Sequence, residues 1–359
     1  MLDYLKMKKK LKVGVLMGGL SEEHEVSLAT GQNVMENLDK SKYQPIAIKL
    51  SRTPHQVDPL TAIKKGSGLG AGQVIKWFLN GKLTTMEKAL KSCDLVFNAL
   101  HGSFGEDGKV QAIMEYHGVR YTGSGICGSV LAMDKLRSRE IFKLAGLSVP
   151  KTLKLRRGDN YQALLKLFVG KVTNFPVVVK PCSSGSSVGV QMVKNHVQLE
   201  KAIKETFKLD SKVLIEELID GKEVTCGVLE NFSVEGGPAS GWNDKIAALP
   251  VTEIVPKRGN KFFNYKAKYT AGQCDEITPA FLDEEVTNKI KETAVKAHQL
   301  LGCKAYSRTD MILRGDDVIV LETNTLPGLT ANSLLPKAAQ FAGLTFAHLL
   351  DHIISNSLA

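Results

Sequence analysis

Ser307-Arg308-Thr309-Asp310-Met311-Ile312-Leu313, followed by Val318-Ile319-Val320-Leu321-Glu322-Thr323-Asn324-Thr325-Leu326-Pro327-Gly328, is the stretch on which the fold assignment turns. Two apolar runs flank Gly315-Asp316-Asp317, as the strands of a hairpin flank its turn. Asp310 is expected to begin the first strand, and Glu322 and Asn324 to end the second, spaced to share one face. Three hard oxygen donors on a rigid hairpin, with Arg308 nearby, outline a metal and phosphate site. Magnesium takes oxygen ligands octahedrally and usually completes its shell with substrate phosphates. The competing interpretation is a surface hairpin whose acids face solvent, and the shared face favours a site over it.

Composition keeps the field wide but removes several classes. With 359 residues, 43% of them apolar and 23% charged, the chain can bury substantial cores and should divide into two or three domains. Its longest apolar runs, such as Asp94-Leu95-Val96-Phe97-Asn98-Ala99-Leu100, fall far short of the roughly 20 residues that span a bilayer, so no membrane partner is expected. The start is basic, but its apolar piece is brief and Glu22-Glu23 follows without a small-residue cleavage pattern. A cytoplasmic protein is therefore expected, with Met7 as an alternative start. Six cysteines lie far apart, without a Cys-x-x-Cys pair or zinc-spaced histidines, which suits reduced, mostly buried thiols. The net charge of +10 is spread along the chain apart from residues 6–12. A basic balance suits nucleic acid or a cleft for a nucleotide triphosphate, but aromatics are only 6% and form no stacking ladder, so no nucleic-acid partner is expected.

Upstream of the hairpin, the first third alternates strand-like and helix-like pieces: residues 13–17, 26–38, 45–50 and 94–100. That alternation implies a parallel α/β sheet, whose ligands collect at the carboxyl ends of strands, where residues 21–25 and 101–108 fall. The Gly-Ser-Gly-Leu-Gly-Ala-Gly run at 66–72 does not follow a strand, so it is expected to be a flexible inserted loop rather than a dinucleotide fingerprint.

A second unit begins near Ser124, with residues 127–144 reading as one helix that carries Asp134-Lys135 and stops before Pro150. Residues 176–181 and 190–193 read as strands around a small-residue loop, Cys182-Ser183-Ser184-Gly185-Ser186-Ser187-Val188-Gly189. Such a loop lets backbone N–H groups wrap an anion, and Lys180 adds a cation beside it; a plain hairpin turn is the alternative. The next strand, residues 213–219, offers Glu216, Glu217, Leu218 and Ile219 as the wall of an adenine slot, with Glu223 as an acceptor for ribose hydroxyls. No Gly-x-x-x-x-Gly-Lys-Ser/Thr occurs, so a P-loop is excluded.

Taken in order, seven pieces resemble the D-alanine–D-alanine ligase family of the ATP-grasp superfamily. They are Gly18-Gly19-Leu20-Ser21-Glu22-Glu23-His24-Glu25-Val26-Ser27, His101-Gly102-Ser103-Phe104-Gly105-Glu106-Asp107-Gly108, Met133-Asp134-Lys135, Val179-Lys180-Pro181, Gly185-Ser186-Ser187-Val188-Gly189, Ala267-Lys268-Tyr269 and the closing hairpin. The resemblance covers nearly the whole chain and implies an α/β, three-domain ATP-grasp fold. It comprises an N-terminal parallel α/β substrate domain over 1–123, a central α+β ATP-grasp subdomain over 124–216 and a C-terminal α+β domain with the metal site over 217–359, ATP lying between the last two. Three departures stand out: Thr309 and Thr323 replace aliphatic residues, Cys182 neighbours the loop, and Asn332 replaces a frequent histidine.

The resemblance further implies ATP-dependent joining of two D-alanine molecules through a D-alanyl phosphate, for peptidoglycan precursor synthesis, by a homodimer. ATP is the co-substrate, with two Mg²⁺ or Mn²⁺ ions held by Asp310, Glu322 and Asn324. Lys135, Lys180 and Ser187 would hold phosphates, and Arg308 with the Gly328 N–H would stabilise a tetrahedral oxyanion. Glu25 would pair with the first ammonium, His101 would contact substrate, and Lys268, Ser333 and Leu334 would hold the second carboxylate end. Ser186 and Tyr269 would join Glu25 in a hydrogen-bonded set, with residues 262–266 as a lid. Two further possibilities stand beside this one: a sibling ligase using D-lactate or D-serine, in which the lid tyrosine would be replaced, and a nucleotide-binding module without chemistry, which would lack a metal ligand or Arg308.

Overall fold

The computed structural model describes residues 9–51, 75–183, 189–232, 246–257 and 274–358. The glycine run at 66–72, the loop with Ser186 and Ser187, the lid stretch, Lys268 and Tyr269 lie outside the described residues. By contact the chain divides into two compact units.

The first unit comprises Met1–Ser129, Lys304–Tyr306 and Thr325–Ala359. Its strands are β1 (Leu11–Gly18), β2 (Tyr43–Ser51), β3 (Lys76–Leu79), β4 (Lys82–Thr84), β5 (Leu95–Asn98) and β6 (Arg120–Tyr121), ordered β4-β3-β2-β1-β5-β6. β2, β1, β5 and β6 run parallel, as the alternating sequence requires, and β1 is buried almost throughout because helices cover such sheets on both faces. Helix His24–Asn37 lies so close to β1 that a Cβ on Gly31 would sit 2.6 Å from Met17 Cβ. The hairpin of β3 and β4 extends the sheet beyond β2. Asn80 and Gly81 both have positive φ, 47° and 81°, which is what a two-residue hairpin turn demands, and Trp77 enters the core. Helices Leu334–Phe341 and Phe346–Leu358 also belong here, the latter burying Leu349, Leu350, Ile353 and Ile354.

The second unit comprises Val130–Cys303 and Ser307–Asn324 and contains two sheets. The first is fully antiparallel: β7 (Thr152–Arg156), β8 (Val177–Pro181), β9 (Gln191–Val193) and β10 (Lys212–Glu217), ordered β7-β10-β8-β9. Helix His196–Leu209 packs Leu199 and Ile203 against Val177, Val179 and Val213 of that sheet. The second sheet contains β11 (Lys222–Glu230), β12 (Ile246–Ala248), β13 (Thr252–Pro256), β14 (Cys274–Ile277), β15 (Tyr306–Arg314) and β16 (Asp317–Asn324). Its order is β14-β13-β11-β15-β16, with β12 paired to β11.

Several expectations are corrected. Residues 127–144 form two helices, Ile126–Met133 and Lys135–Leu144, because Asp134 adopts extended backbone angles and caps the second with bonds from Leu136 N at 3.1 Å and Arg137 N at 3.2 Å. Aspartate favours that position, and the break points Lys135 away from the first helix's course. Asp310 lies mid-strand rather than at a strand start, since β15 begins at Tyr306. β10 ends at Glu217, which leaves Leu218 and Ile219 in the link to β11. By contact, residues 325–358 group with the first unit, and in the second unit helix Lys135–Leu144 buries Phe142 in one core with Val318 and Val320. Among the described residues no helix is long and apolar enough to cross a membrane.

Candidate active site

The antiparallel register of β15 and β16 sets Asp310 opposite Glu322 and Arg308 opposite Asn324. Cross-strand partners share a face, so these four side chains cluster as the alternation in the sequence requires. Asp310 is buried and well held. Arg308 Nε and Nη2 donate to its two oxygens at 2.8 and 2.9 Å, Thr225 Oγ1 donates at 2.6 Å, and Asn324 Nδ2 donates at 3.1 Å. A bulge between Asp310 and Met311 shifts the register at that point, a usual device for aiming a side chain near a site. Behind the cluster, Thr309 and Thr323 pair their hydroxyls at 3.1 Å, which satisfies the two buried groups that replace aliphatic residues.

Asp310 and Glu322 face a cleft of about 710 Å³ within the second unit. Lys135, Lys180, Glu216, Glu217, Leu218, Ile219 and Glu223 line the same cleft, so these nucleotide residues expected from the sequence come together with two metal-ligand candidates. Lys135 Nζ lies 3.0 Å from Glu322 Oε2, and Lys180 Nζ lies 2.9 Å from Glu216 Oε2. Val178, Val190, Ile254, Ile312 and Leu321 supply apolar wall, which suits a base, while the lysines and acids suit phosphates and cations. The donor set fits magnesium in kind: two carboxylates and one amide oxygen, all hard, on adjacent strands of one hairpin.

Three further residues at the cleft, Arg139, Thr225 and Glu253, are not singled out by the sequence alone. Arg139 Nη1 bonds Glu216 Oε1 and Thr152 Oγ1, and its Nε and Nη2 reach the Leu321 carbonyl. Its signal was available: it follows Lys135 by four residues in a helix and so shares its face. Thr225 and Glu253 come from β11 and β13, and nothing local ties either to the closing hairpin. The structure also explains Cys182: its Sγ lies 3.3 Å from Asp134 Oδ1, and Lys212 Nζ lies 3.1 Å from Asp134 Oδ2.

Electrostatics in the cleft are uneven. Burial would raise the Glu216 carboxyl, but the Arg139 and Lys180 cations outweigh it and hold the group below the usual glutamate range. Burial, with the Arg139 charge second, pushes the Lys180 ammonium down to about 8. Lys180 is thus charged below about pH 8 and loses its proton above it. Affinity for a magnesium–nucleotide triphosphate is expected to fall as pH rises through that value, by up to about tenfold per unit for one ionisation. Calorimetric titration from pH 7 to 9.5 measures it, and Lys180→Arg should remove the decline because a guanidinium stays protonated. A flat profile in the unmutated protein would exclude Lys180 as the titrating phosphate ligand.

In the first unit, the carboxyl ends of β1 and β5 converge as expected. Ser21 Oγ donates to the His101 carbonyl at 2.6 Å, and His101 Nε2 lies 2.9 Å from Thr30 Oγ1, so this imidazole is buried and anchored. Glu25 is exposed in the first turn of helix His24–Asn37. A Cβ on Gly328 would lie 2.9 Å from Ser333 Oγ, which is why the backbone can approach there. Ser333 Oγ accepts from Thr330 N at 3.0 Å and lies 2.8 Å from Thr330 Oγ1, immediately before helix Leu334–Phe341. The Leu334 side chain is buried, so any ligand contact falls to its backbone N–H.

The chain matches the family described as D-ala D-ala ligase N-terminus over residues 12–124 and that described as D-ala D-ala ligase C-terminus over residues 141–355. It is 39% identical over 350 residues to a D-alanine–D-alanine ligase of Syntrophobacter fumaroxidans, covering 98% of each chain. Among solved structures it is similar to the D-alanine–D-alanine ligase from Bacillus anthracis complexed with ATP, with TM-score 0.71, 31% identity and 97% of both chains covered. It is also similar to the VanG D-Ala:D-Ser ligase from Enterococcus faecalis, with TM-score 0.75, 31% identity, and 97% and 100% covered.

Proposed function

The chain belongs to the D-alanine–D-alanine ligase family, of ATP-grasp fold, and on that premise we propose that it joins two D-alanine molecules into D-alanyl-D-alanine. The reaction uses ATP, releases ADP and phosphate, and feeds peptidoglycan precursor synthesis. The observation that carries this best is the pairing of Asp310 with Glu322 on the wall of a cleft that also holds Lys135 and Lys180. Those residues are what transfer of a phosphoryl group to a carboxylate needs at one place.

A carboxylate is a poor electrophile because its leaving group would be oxide, and phosphorylation supplies a far better one. In this reading Lys135 and Lys180 hold the nucleotide's phosphates, Glu216 to Ile219 border the base, and Glu223 accepts from the ribose. Asp310, Glu322 and Asn324 would hold two magnesium ions, whose chemistry is neutralisation of charge on the phosphates as the terminal group moves. Arg308 and the Gly328 N–H stabilise the oxyanion formed when the second amine attacks the acyl phosphate. Glu25 orients the first ammonium with His101 near the substrate, and Ser333 with the Leu334 N–H takes the second carboxylate. Ser186, Ser187, Lys268 and Tyr269 retain the roles the resemblance gives them. We read the chain as three domains, 1–123, 124–216 and 217–359. We assign the reaction to the cytoplasm, where ATP is supplied, and to a homodimer.

The D-Ala:D-Ser relative makes the second substrate the point to test. Phosphate release should be measured with MgATP and D-alanine alone, or D-alanine paired with D-serine or D-lactate, with products identified by mass. D-Alanine alone is expected to give the dipeptide with the highest kcat/KM. Release independent of any amino acid would refute ligation, and preferred incorporation of D-serine would move the chain to the sibling activity.

A further inference from the structure

Arg139 makes four hydrogen bonds to three acceptors and is buried, being 3% exposed. Its Nη1 bonds Glu216 Oε1 on β10 and Thr152 Oγ1 on β7, while Nε at 3.3 Å and Nη2 at 3.1 Å reach the Leu321 carbonyl on β16. Leu321 directly precedes Glu322, and the other Glu216 oxygen takes Lys180 Nζ at 2.9 Å. One guanidinium therefore joins the strand of the metal-ligand hairpin to the sheet that carries a phosphate lysine. We infer that Arg139 is a positioning residue for nucleotide binding: it occupies one oxygen of Glu216 so that Lys180 stays available to phosphate, and it fixes the backbone beside Glu322. This rests on the ligase reading for the reaction but not for the binding of nucleotide.

Arg139, Glu216 and Lys180 together carry one net positive charge. Without the guanidinium, Glu216 is left to Lys180 alone, and the pair becomes neutral and closed on itself. Burial sharpens this, because a carboxylate out of water holds whichever cation remains. Removing Glu216's charge as well returns one positive charge to Lys180. The tether to Leu321, by contrast, is a backbone contact that no change at Glu216 can restore.

The test compares Arg139→Met with Arg139→Met/Glu216→Gln, reading the Kd of ATP by calorimetry and kcat by phosphate release. The single variant is expected to weaken ATP about tenfold and to leave the KM for D-alanine unchanged. The double variant should bind ATP several-fold more tightly than the single variant, while kcat stays depressed in both. A residue that only filled space would show no recovery of affinity on adding the second substitution. The inference is overturned if Arg139→Met binds ATP within twofold of the unmutated protein, or if the double variant binds no better than the single. Should Arg139→Met fail to fold, Arg139→Lys takes its place. That variant keeps the charge but not the fork, so it should preserve ATP affinity while lowering kcat, and a loss of affinity there overturns the inference. If the protein forms no dipeptide, the calorimetric arm still decides the matter.

Discussion

Glu322→Gln is expected to lower kcat by roughly 10³-fold, about 4 kcal/mol of transition-state stabilisation, while the protein stays folded. Glutamine keeps the shape of the side chain and can still accept from Lys135, which lies 3.0 Å from Glu322 Oε2. What it loses is the anionic charge that, with Asp310 directly across the hairpin, would hold cations on a triphosphate in the proposed function. Glu322 itself lines the cleft with its side chain 22% exposed, and the glutamine oxygen still accepts from the buried Lys135 ammonium, whose side chain is 9% exposed, so the cost to the fold is small. The thermal midpoint should accordingly move by no more than about 2 °C. Phosphate release under saturating D-alanine and magnesium, with a parallel melting curve, measures both. Turnover within tenfold of the unmutated protein would remove Glu322 from the metal set, and a large drop in midpoint would make it structural.

The parts of this site legible in the sequence are those held by local periodicity. Glu322 and Asn324 alternate along one strand, and Asp310 and Arg308 do so on its partner, so a hairpin brings all four to one face whatever surrounds it. Lys180 and Glu216 each lie on a run of β-branched and aliphatic residues, and their adjacency follows once β8 and β10 pair. Lys135 needed a break that apolar spacing hid: the helix pattern runs through Asp134, and only its capping bonds show that the chain turns there. Thr225, which holds Asp310, lies 85 residues away on another strand, and Arg139, which holds Glu216, lies 77 residues away on a helix. Long-range partners of this kind leave no periodic trace, because any threonine or arginine on a buried face reads alike. In the first unit the parallel sheet was plain from alternation, whereas the added β3 and β4 depended on Asn80-Gly81, a turn signal inside a stretch otherwise without pattern.

Arg308→Lys is expected to separate the two chemical steps. Arg308 is buried, and its planar fork meets both oxygens of Asp310 at 2.8 and 2.9 Å. A lysine keeps one positive charge but offers a single point of contact, so it cannot both brace Asp310 and face a developing oxyanion. If Arg308 acts chiefly on the tetrahedral intermediate, transfer of phosphate to the first D-alanine should survive, and attack by the second amine should slow by about 10² to 10³, the usual cost of one oxyanion donor. Rapid-quench measurement would then show ADP formed at close to the unmutated rate and dipeptide formed far behind it, with hydroxylamine trapping the acyl phosphate that accumulates. Thr225 and Asn324 continue to hold Asp310 in the variant, at 2.6 and 3.1 Å in the parent, which is why the first step should tolerate the change. Equal slowing of ADP and dipeptide formation would instead assign Arg308 to the alignment of Asp310, and the oxyanion would then rest on the Gly328 N–H without it.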